Sequence, residues 1–320
     1  MAISSDRISI VIPAFNEEKS IERVVTGLRD FYPEAEILVV NDGSKDRTKE
    51  IAEQLPCRLI THRQNQGYGA SWKTGIRNAT REYITFFDGD GQFDPEDVRK
   101  LYEKVEQSGA DLVSGNRVTG SHQPISRRPG KFVLLQFANF LSRRNIPDAN
   151  CGLRAFRREM IAKYVDLLPN GFSASMTSLL LFFNRGYIVE FVPIVVTKRE
   201  GKSSVRQIRD GFGTILLMLR LSALFDPLRI FIPTSLMLLA VSVVYSIVEA
   251  LIVGLGVPVL GATMFIGGML LFFLGIVCDQ ISALRLERFT APLRRVTSGQ
   301  DNADTEGDAS GTQLSVVQNQ

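Results

Sequence analysis

Between Arg229 and Arg285 the chain has no lysine or arginine, and Glu249 and Asp279 are its only charges. A stretch this apolar needs a solvent other than water, which restricts the folds open to the whole chain. Ile230–Val253 spans 24 residues and Gly261–Ile281 spans 21, against the roughly 20 that cross a bilayer core as a helix. The link 254–260 is uncharged and contains Pro258, so the two spans are expected to form a tight hairpin. Arg206, Arg209, Arg220 and Arg229 precede it, and Arg285, Arg288, Arg294 and Arg295 follow it. Basic residues on both flanks place both ends on the cytoplasmic side. Glu249 lies near the far end of the first span and Asp279 near the cytoplasmic end of the second, where snorkelling or pairing accounts for them better than chemistry. Gly211–Phe225 is apolar with Arg220 inside; it reads either as an amphipathic helix on the membrane surface or as a core helix.

The formal net charge of +3 hides an asymmetry, because the last twenty residues carry four acids and no base, leaving +7 on the rest. From Thr297 onward the composition is that of a disordered tail. Cys57, Cys151 and Cys278 are too few and too scattered for a disulfide framework or a zinc site. With only His62 and His122, a multi-histidine metal site and a Ser-His-Asp triad are both disfavoured. Met1–Arg7 is short and polar, so no signal peptide is expected and the N-terminal part should stay in the cytoplasm.

The first 120 residues alternate. Strands are expected at Arg7–Ile12, Glu36–Val40, Arg58–Thr61, Tyr83–Phe87 and Leu112–Ser114, and helices at Ser20–Phe31, Thr48–Gln54, Ala70–Ala79 and from Pro95 to about Ser108. Such alternation predicts an α/β domain with a mostly parallel sheet covered on both faces. Ligands then bind beyond the carboxyl ends of the strands. Later the pattern loosens: Phe132–Leu141 and Leu179–Phe183 read as helix, and Ile188–Val196 as a strand interrupted at Pro193.

Polar clusters follow strands one, two and four, where that rule puts a site. The sharpest is Asp88-Gly89-Asp90-Gly91-Gln92, directly after Phe86-Phe87. Two carboxylates and an amide oxygen suit Mg²⁺ or Mn²⁺, hard cations that bridge to phosphates. Spacing alone also allows a turn or a cap. Pro13-Ala14-Phe15-Asn16-Glu17-Glu18 and Asn41-Asp42-Gly43-Ser44 can likewise be turns, although a carboxylate at Asp42 is well placed to accept a nucleobase N–H. Asn65-Gln66-Gly67-Tyr68-Gly69-Ala70 is a glycine-rich loop, too loose to be a phosphate loop by itself.

Taken in order, IVIPAFNEE (10–18), VNDGSKD (40–46), NQGYGAS (65–71), FFDGDGQFDPED (86–97) and CGLRAFRR (151–158) resemble the family 2 glycosyltransferases of the GT-A fold. With two C-terminal spans added, the resemblance narrows to the polyprenyl-phosphate glycosyltransferases, the group that includes dolichol-phosphate mannose synthase and undecaprenyl-phosphate glucosyltransferases. It implies a GT-A domain over 1–205, a juxtamembrane segment over 206–228, a hairpin over 229–284 and a tail over 285–320. By the same resemblance Pro13, Phe15, Asn16, Glu17 and Asp42 hold the nucleotide, with Asp88 beside them, and Asp88, Asp90 and Gln92 hold Mg²⁺ or Mn²⁺ with the donor diphosphate. Arg117, Arg127, Arg128 and Arg199, with Lys202 and Ser203, gather the donor and acceptor phosphates, a task for which a planar guanidinium is suited. Asp148 matches a family acid that either touches the metal site or pairs with Arg154. The chain departs from the pattern at Ser204, where the family's loop ends in Lys, and at Tyr68, where many relatives have Lys.

The implied reaction moves a hexose, mannose or glucose, from a UDP- or GDP-sugar to dolichyl or undecaprenyl phosphate with inversion. A lipid phosphate is already anionic, so positioning and charge screening replace a general base. The implied setting is the inner or plasma membrane, with both termini cytoplasmic, no nucleic-acid partner, and association into a homo-oligomer through the membrane helices. Transfer to diacylglycerol or ceramide is a rival, as is a non-catalytic scaffold. A processive synthase fits poorly, since two spans are too few for a channel.

Overall fold

Ile8–Ala14 is buried at all seven positions, and a strand with no exposed face must be paired on both edges and covered on both sides. In the computed structural model, which describes residues 4–118, 135–136, 138–140, 142, 144–197, 226–254 and 258–287, this strand, β1, lies inside a seven-stranded sheet. The others are β2 Glu36–Asn41, β3 Arg58–Thr61, β4 Tyr83–Phe86, β5 Leu112–Arg117, β6 Arg154–Arg157 and β7 Val189–Ile194, in the order β3-β2-β1-β4-β6-β5-β7. β1 pairs in parallel with β2 (Ile10 opposite Ile37) and with β4 (Ile10 opposite Thr85). β6 alone runs against its neighbours β4 and β5. The expected α/β architecture with a mostly parallel sheet is therefore the one found.

The strand period of two sorts β1 between two cores. Ile8, Ile10 and Ile12 face a layer formed by α1 (Ile21–Phe31) and α4 (Pro95–Ser108). Val11 faces a layer formed by α3 (Tyr68–Asn78), α5 (Arg158–Ala162) and α6 (Ala174–Asn184); α2 (Thr48–Ala52) is a short connector. The stripe Ile21, Val24, Val25 and Leu28 is buried as its spacing predicts. α4 starts on an Asp94 side chain that accepts from the Glu96 N–H at 2.9 Å, has Pro95 in its first turn, and stops at Gly109 with φ 63°.

Two readings need correcting. Pro193 does not interrupt β7; it sits within the strand, opposite Asn116. β7 is at the sheet edge, where a proline removes no ladder hydrogen bond that is needed. β6 was not anticipated, since four residues flanked by Arg154 and Arg157 show no apolar alternation.

Leu228–Val253 (α7) and Val259–Glu287 (α8) are both long and apolar enough to cross a membrane, with a mean hydropathy of 2.2 each. Only 11% and 17% of their apolar stretches are buried, so they present apolar surface outward, unlike core helices. They meet through small residues: Ser242 Oγ donates to the Gly261 carbonyl at 2.7 Å, and Gly268 and Gly275 lie against Leu239 and Phe231. The Arg229 guanidinium lies 4.0 Å over the Phe140 ring, at the end of α7 nearest the α/β domain.

The fully buried Trp72 stacks on Phe86 at 3.8 Å with the rings 6° apart. Trp72→Ala is expected to cost about 3–5 kcal/mol, read as a lower midpoint of thermal unfolding for the detergent-solubilised protein.

Candidate active site at the carboxyl edge of the sheet

Because β1, β2, β4 and β5 point the same way, the residues that follow them converge on one edge. β6 runs the other way, so the loop 148–153 that precedes it reaches the same edge. Asn16, Glu17, Asp42, Asp88, Asp90, Arg117 and Asp148 all belong to this rim.

The loops after β1 and β2 are tied together. Asn16 adopts φ 58°, the only positive value among the described non-glycine residues, in a region that asparagine tolerates. Its N–H donates to Ser44 Oγ at 3.0 Å, and its Oδ1 accepts from the Lys45 N–H at 2.8 Å. The Glu17 N–H donates to Thr48 Oγ1 at 2.8 Å, and Ser20 Oγ donates to the Gly89 carbonyl at 2.8 Å, joining this corner to the Asp-Gly-Asp loop. Pro13 is buried and Phe15 half-buried beside them.

Asp42 is directed into its own surroundings. Oδ1 lies 2.7 Å from His62 Nδ1 and accepts from the Gln66 N–H at 2.9 Å, while Oδ2 accepts from the Gly67 N–H at 2.8 Å. His62 Nε2 lies 2.8 Å from Thr74 Oγ1. The carboxylate thus shapes the glycine-rich loop. Gly67, at φ 104° with its Cα against the Asn170 carbonyl, leaves no room for a Cβ.

Asp88 is half-buried and Asp90 buried. Asp90 Oδ1 accepts from the Gln92 N–H at 3.2 Å. The Gln92 Nε2 donates to the Thr197 carbonyl at 3.0 Å, and the Thr197 N–H donates back to the Gln92 carbonyl at 3.1 Å. Gln92 therefore anchors the chain leaving β7 as well as following the two acids. The Cα of Gly152 packs against Asp88 so closely that a Cβ there would come within 2.3 Å of Oδ2. Among the described residues no cluster of three or more His, Cys, Asp or Glu forms a metal cage. A pair of carboxylates still fits Mg²⁺ or Mn²⁺, which keep waters and bind largely through one or two carboxylates plus substrate phosphate.

Arg117, at the end of β5, grips Asp148 in a two-pronged pair, Nε to Oδ2 at 2.6 Å and Nη2 to Oδ1 at 2.9 Å. Burial alone would lower the arginine's pKa, but the hydrogen bonds and charge of Asp148 outweigh it and raise it. Asp148, expected at the metal site or on Arg154, is thus held by Arg117, and its charge also bears on Arg154. Arg154 is fully buried and bonds to the carbonyls of Cys151, Ala149 and Ser175 and to Ser178 Oγ, and burial lowers its pKa to about 10. Arg127, Arg128, Arg199, Lys202, Ser203, the Gly211–Phe225 segment and the C-terminal tail lie outside the described residues.

Tyr68 belongs to the site although its sequence position showed only a departure. Its hydroxyl donates to Asp88 Oδ1 at 2.7 Å. Burial of the hydroxyl end, then the Asp88 charge, push its pKa well above the usual value, so it remains a proton donor. His62 was also missed; it reaches Asp42 because β3 pairs with β2, Asn41 opposite Thr61, which no local signal shows.

With this geometry in view, comparisons with known proteins are informative. Residues 9–165 match Glycosyl transferase family 2, and residues 226–284 match the GtrB C-terminal hairpin. A dolichyl-phosphate hexose transferase of Haloferax volcanii is 31% identical over 64% of this chain and 90% of its own length. A polyprenol monophosphomannose synthase of Mycolicibacterium smegmatis is 32% identical over 65% of this chain and 84% of its own. The crystal structure of glucosyl-3-phosphoglycerate synthase from Mycobacterium tuberculosis with Mn²⁺, UDP and glucosyl-3-phosphoglycerate superimposes with a TM-score of 0.54 at 21% identity, covering 68% of this chain and 78% of that one. These relatives place the chain among sugar-transferring α/β enzymes. The chain belongs to glycosyl transferase family 2 and carries a GtrB-type C-terminal hairpin.

Two outcomes test the site. Asp148→Ala leaves the Arg117 charge without its partner and is expected to cost about 3 kcal/mol, near the low end for a broken buried pair because the arginine keeps some water; thermal unfolding in detergent reads it. Cys151 is buried, and burial, opposed by Arg117 and reinforced by Asp148, pushes its thiol up to about 12. At pH 8 it should resist iodoacetamide in the folded protein and react after unfolding, as peptide mass spectrometry would show.

Proposed function

We propose that the chain is a membrane-bound, metal-dependent, inverting glycosyltransferase that moves a hexose from a UDP- or GDP-sugar to a polyprenyl phosphate. The observation that carries this is a carboxylate pair and a buried-end arginine on one sheet edge, in a chain that continues into a two-helix apolar hairpin. A soluble acceptor needs no such hairpin. The names of the two relatives, a dolichyl-phosphate hexose transferase and a polyprenol monophosphomannose synthase, support the same acceptor class.

In this reading the tied loops bearing Pro13, Phe15, Asn16 and Glu17 form the nucleotide pocket, and Asp42 serves it by fixing the wall from His62 to Gly67. Asp88 and Asp90, with the Gln92 side-chain oxygen, hold Mg²⁺ or Mn²⁺, which when bound screens the charge of the departing diphosphate. Asp148 occupies one edge of the Arg117 guanidinium and leaves the other edge to a phosphate. Arg127, Arg128, Arg199, Lys202 and Ser203 complete the phosphate grip, the last three on the chain that leaves Thr197 at its anchor on Gln92. An oxygen of the lipid phosphate attacks the anomeric carbon as the bond to the nucleoside diphosphate breaks, which inverts that carbon. No proton has to be removed from the nucleophile, so none of the rim residues is needed as a base.

The catalytic domain, taken as residues 1–205, and both termini lie on the cytoplasmic side of the inner or plasma membrane. The segment 206–228 rests on that surface, and copies associate through the hairpins. Purified protein supplied with a panel of UDP- and GDP-hexoses, a polyprenyl phosphate and Mn²⁺ should form a lipid-linked sugar with one of them. Asp90→Ala should lower that rate by about 10²–10³-fold; unchanged turnover would remove the metal assignment, and transfer to diacylglycerol or ceramide instead would move the acceptor class.

A further inference from the structure

We propose that Tyr68 is a positioning residue for the metal, acting through Asp88; this rests on the function proposed above, in which Asp88 is a ligand. The Asp88 carboxylate is confined from two sides. On one, the Tyr68 hydroxyl donates to Oδ1 at 2.7 Å. On the other, the Gly152 Cα stands so near that an added Cβ would fall 2.3 Å from Oδ2 and 2.8 Å from Oδ1. A hydrogen bond to an ionised carboxylate is short and directional, and with the backbone wall it leaves the group little rotation.

The donor is itself held by packing. The Tyr68 ring stacks on Phe172 at 5.3 Å and 18°, and meets Trp72 at 5.7 Å. Trp72 in turn stacks on Phe86, two residues before Asp88 on the same strand end. The hydroxyl and the carboxylate are thus fixed to one aromatic column, so their relative placement is set by the core and not by the loop alone. Tyrosine suits the position because it brings a hydrogen-bond donor without a positive charge. A lysine in its place would put a cation against the carboxylate that must attract a divalent one. A donor to a ligating carboxylate typically changes metal affinity by about 10–100-fold when removed.

A hydroxyl that only satisfied a buried tyrosine would affect stability and not metal affinity, and Tyr68→Phe separates the two because it keeps the ring and its stacking. Full-length wild type, Tyr68→Phe and Asp90→Ala in detergent would be titrated with Mn²⁺, alone and with UDP or GDP, and free Mn²⁺ followed by electron paramagnetic resonance. The proposal expects Tyr68→Phe to weaken Mn²⁺ binding by about 10–100-fold and to raise the Mn²⁺ concentration for half-maximal transfer, with Asp90→Ala losing the site. Wild-type affinity in Tyr68→Phe, with the site lost in Asp90→Ala, would overturn the positioning role and leave the metal assignment standing. Wild-type affinity in both variants would overturn the metal assignment and this inference with it.

Discussion

The site depends on one constraint, the complete burial of β1. Because no position of Ile8–Ala14 meets water, the strand needs partners along both edges, and it takes β2 and β4 in parallel. Parallel pairing sends all three carboxyl ends to the same rim. Asn16 and Glu17, Asp42, and Asp88 with Asp90 are far apart along the chain and become neighbours for that reason alone. The antiparallel β6 extends the effect, since reversing one strand brings its preceding loop, with Asp148 and Gly152, to the same place.

Two arginines near this rim, Arg117 half-buried and Arg154 fully buried, are stabilised in contrasting ways. Arg117 meets a carboxylate and stays partly exposed, while Arg154 is surrounded by carbonyl dipoles that carry no net charge. The first arrangement leaves part of a charged guanidinium in contact with solvent. The second uses the guanidinium as a bracket that joins the loop 149–151 to α6, and so indirectly fixes the Gly152 wall beside Asp88. Asp148, expected at the metal site or on Arg154, takes the guanidinium of Arg117 at the end of β5 in a two-pronged pair.

Much of the fold was legible because its signals are local. Residue alternation and the Ile21, Val24, Val25, Leu28 stripe gave the layers, Pro95 marked the start of a helix, and the stretch without lysine or arginine marked the hairpin. The Asp88–Asp90 pair was legible by its place after a buried strand. What escaped depends on contacts across the sheet: β6 is four residues long with charged ends, Pro193 is acceptable only because β7 is an edge, and His62 reaches Asp42 through β2–β3 pairing. Tyr68 was visible as an unusual residue, yet its link to Asp88 arises from the packing of α3 on β4, which no spacing encodes.

Trp72 is the only tryptophan in the chain, and it stacks on the strand end that leads into Asp88 while touching the ring of Tyr68. The protein therefore carries a built-in fluorophore in the core beneath that rim. The membrane hairpin adds no tryptophan of its own, so excitation beyond the tyrosine band isolates this one indole in detergent or in lipid vesicles alike.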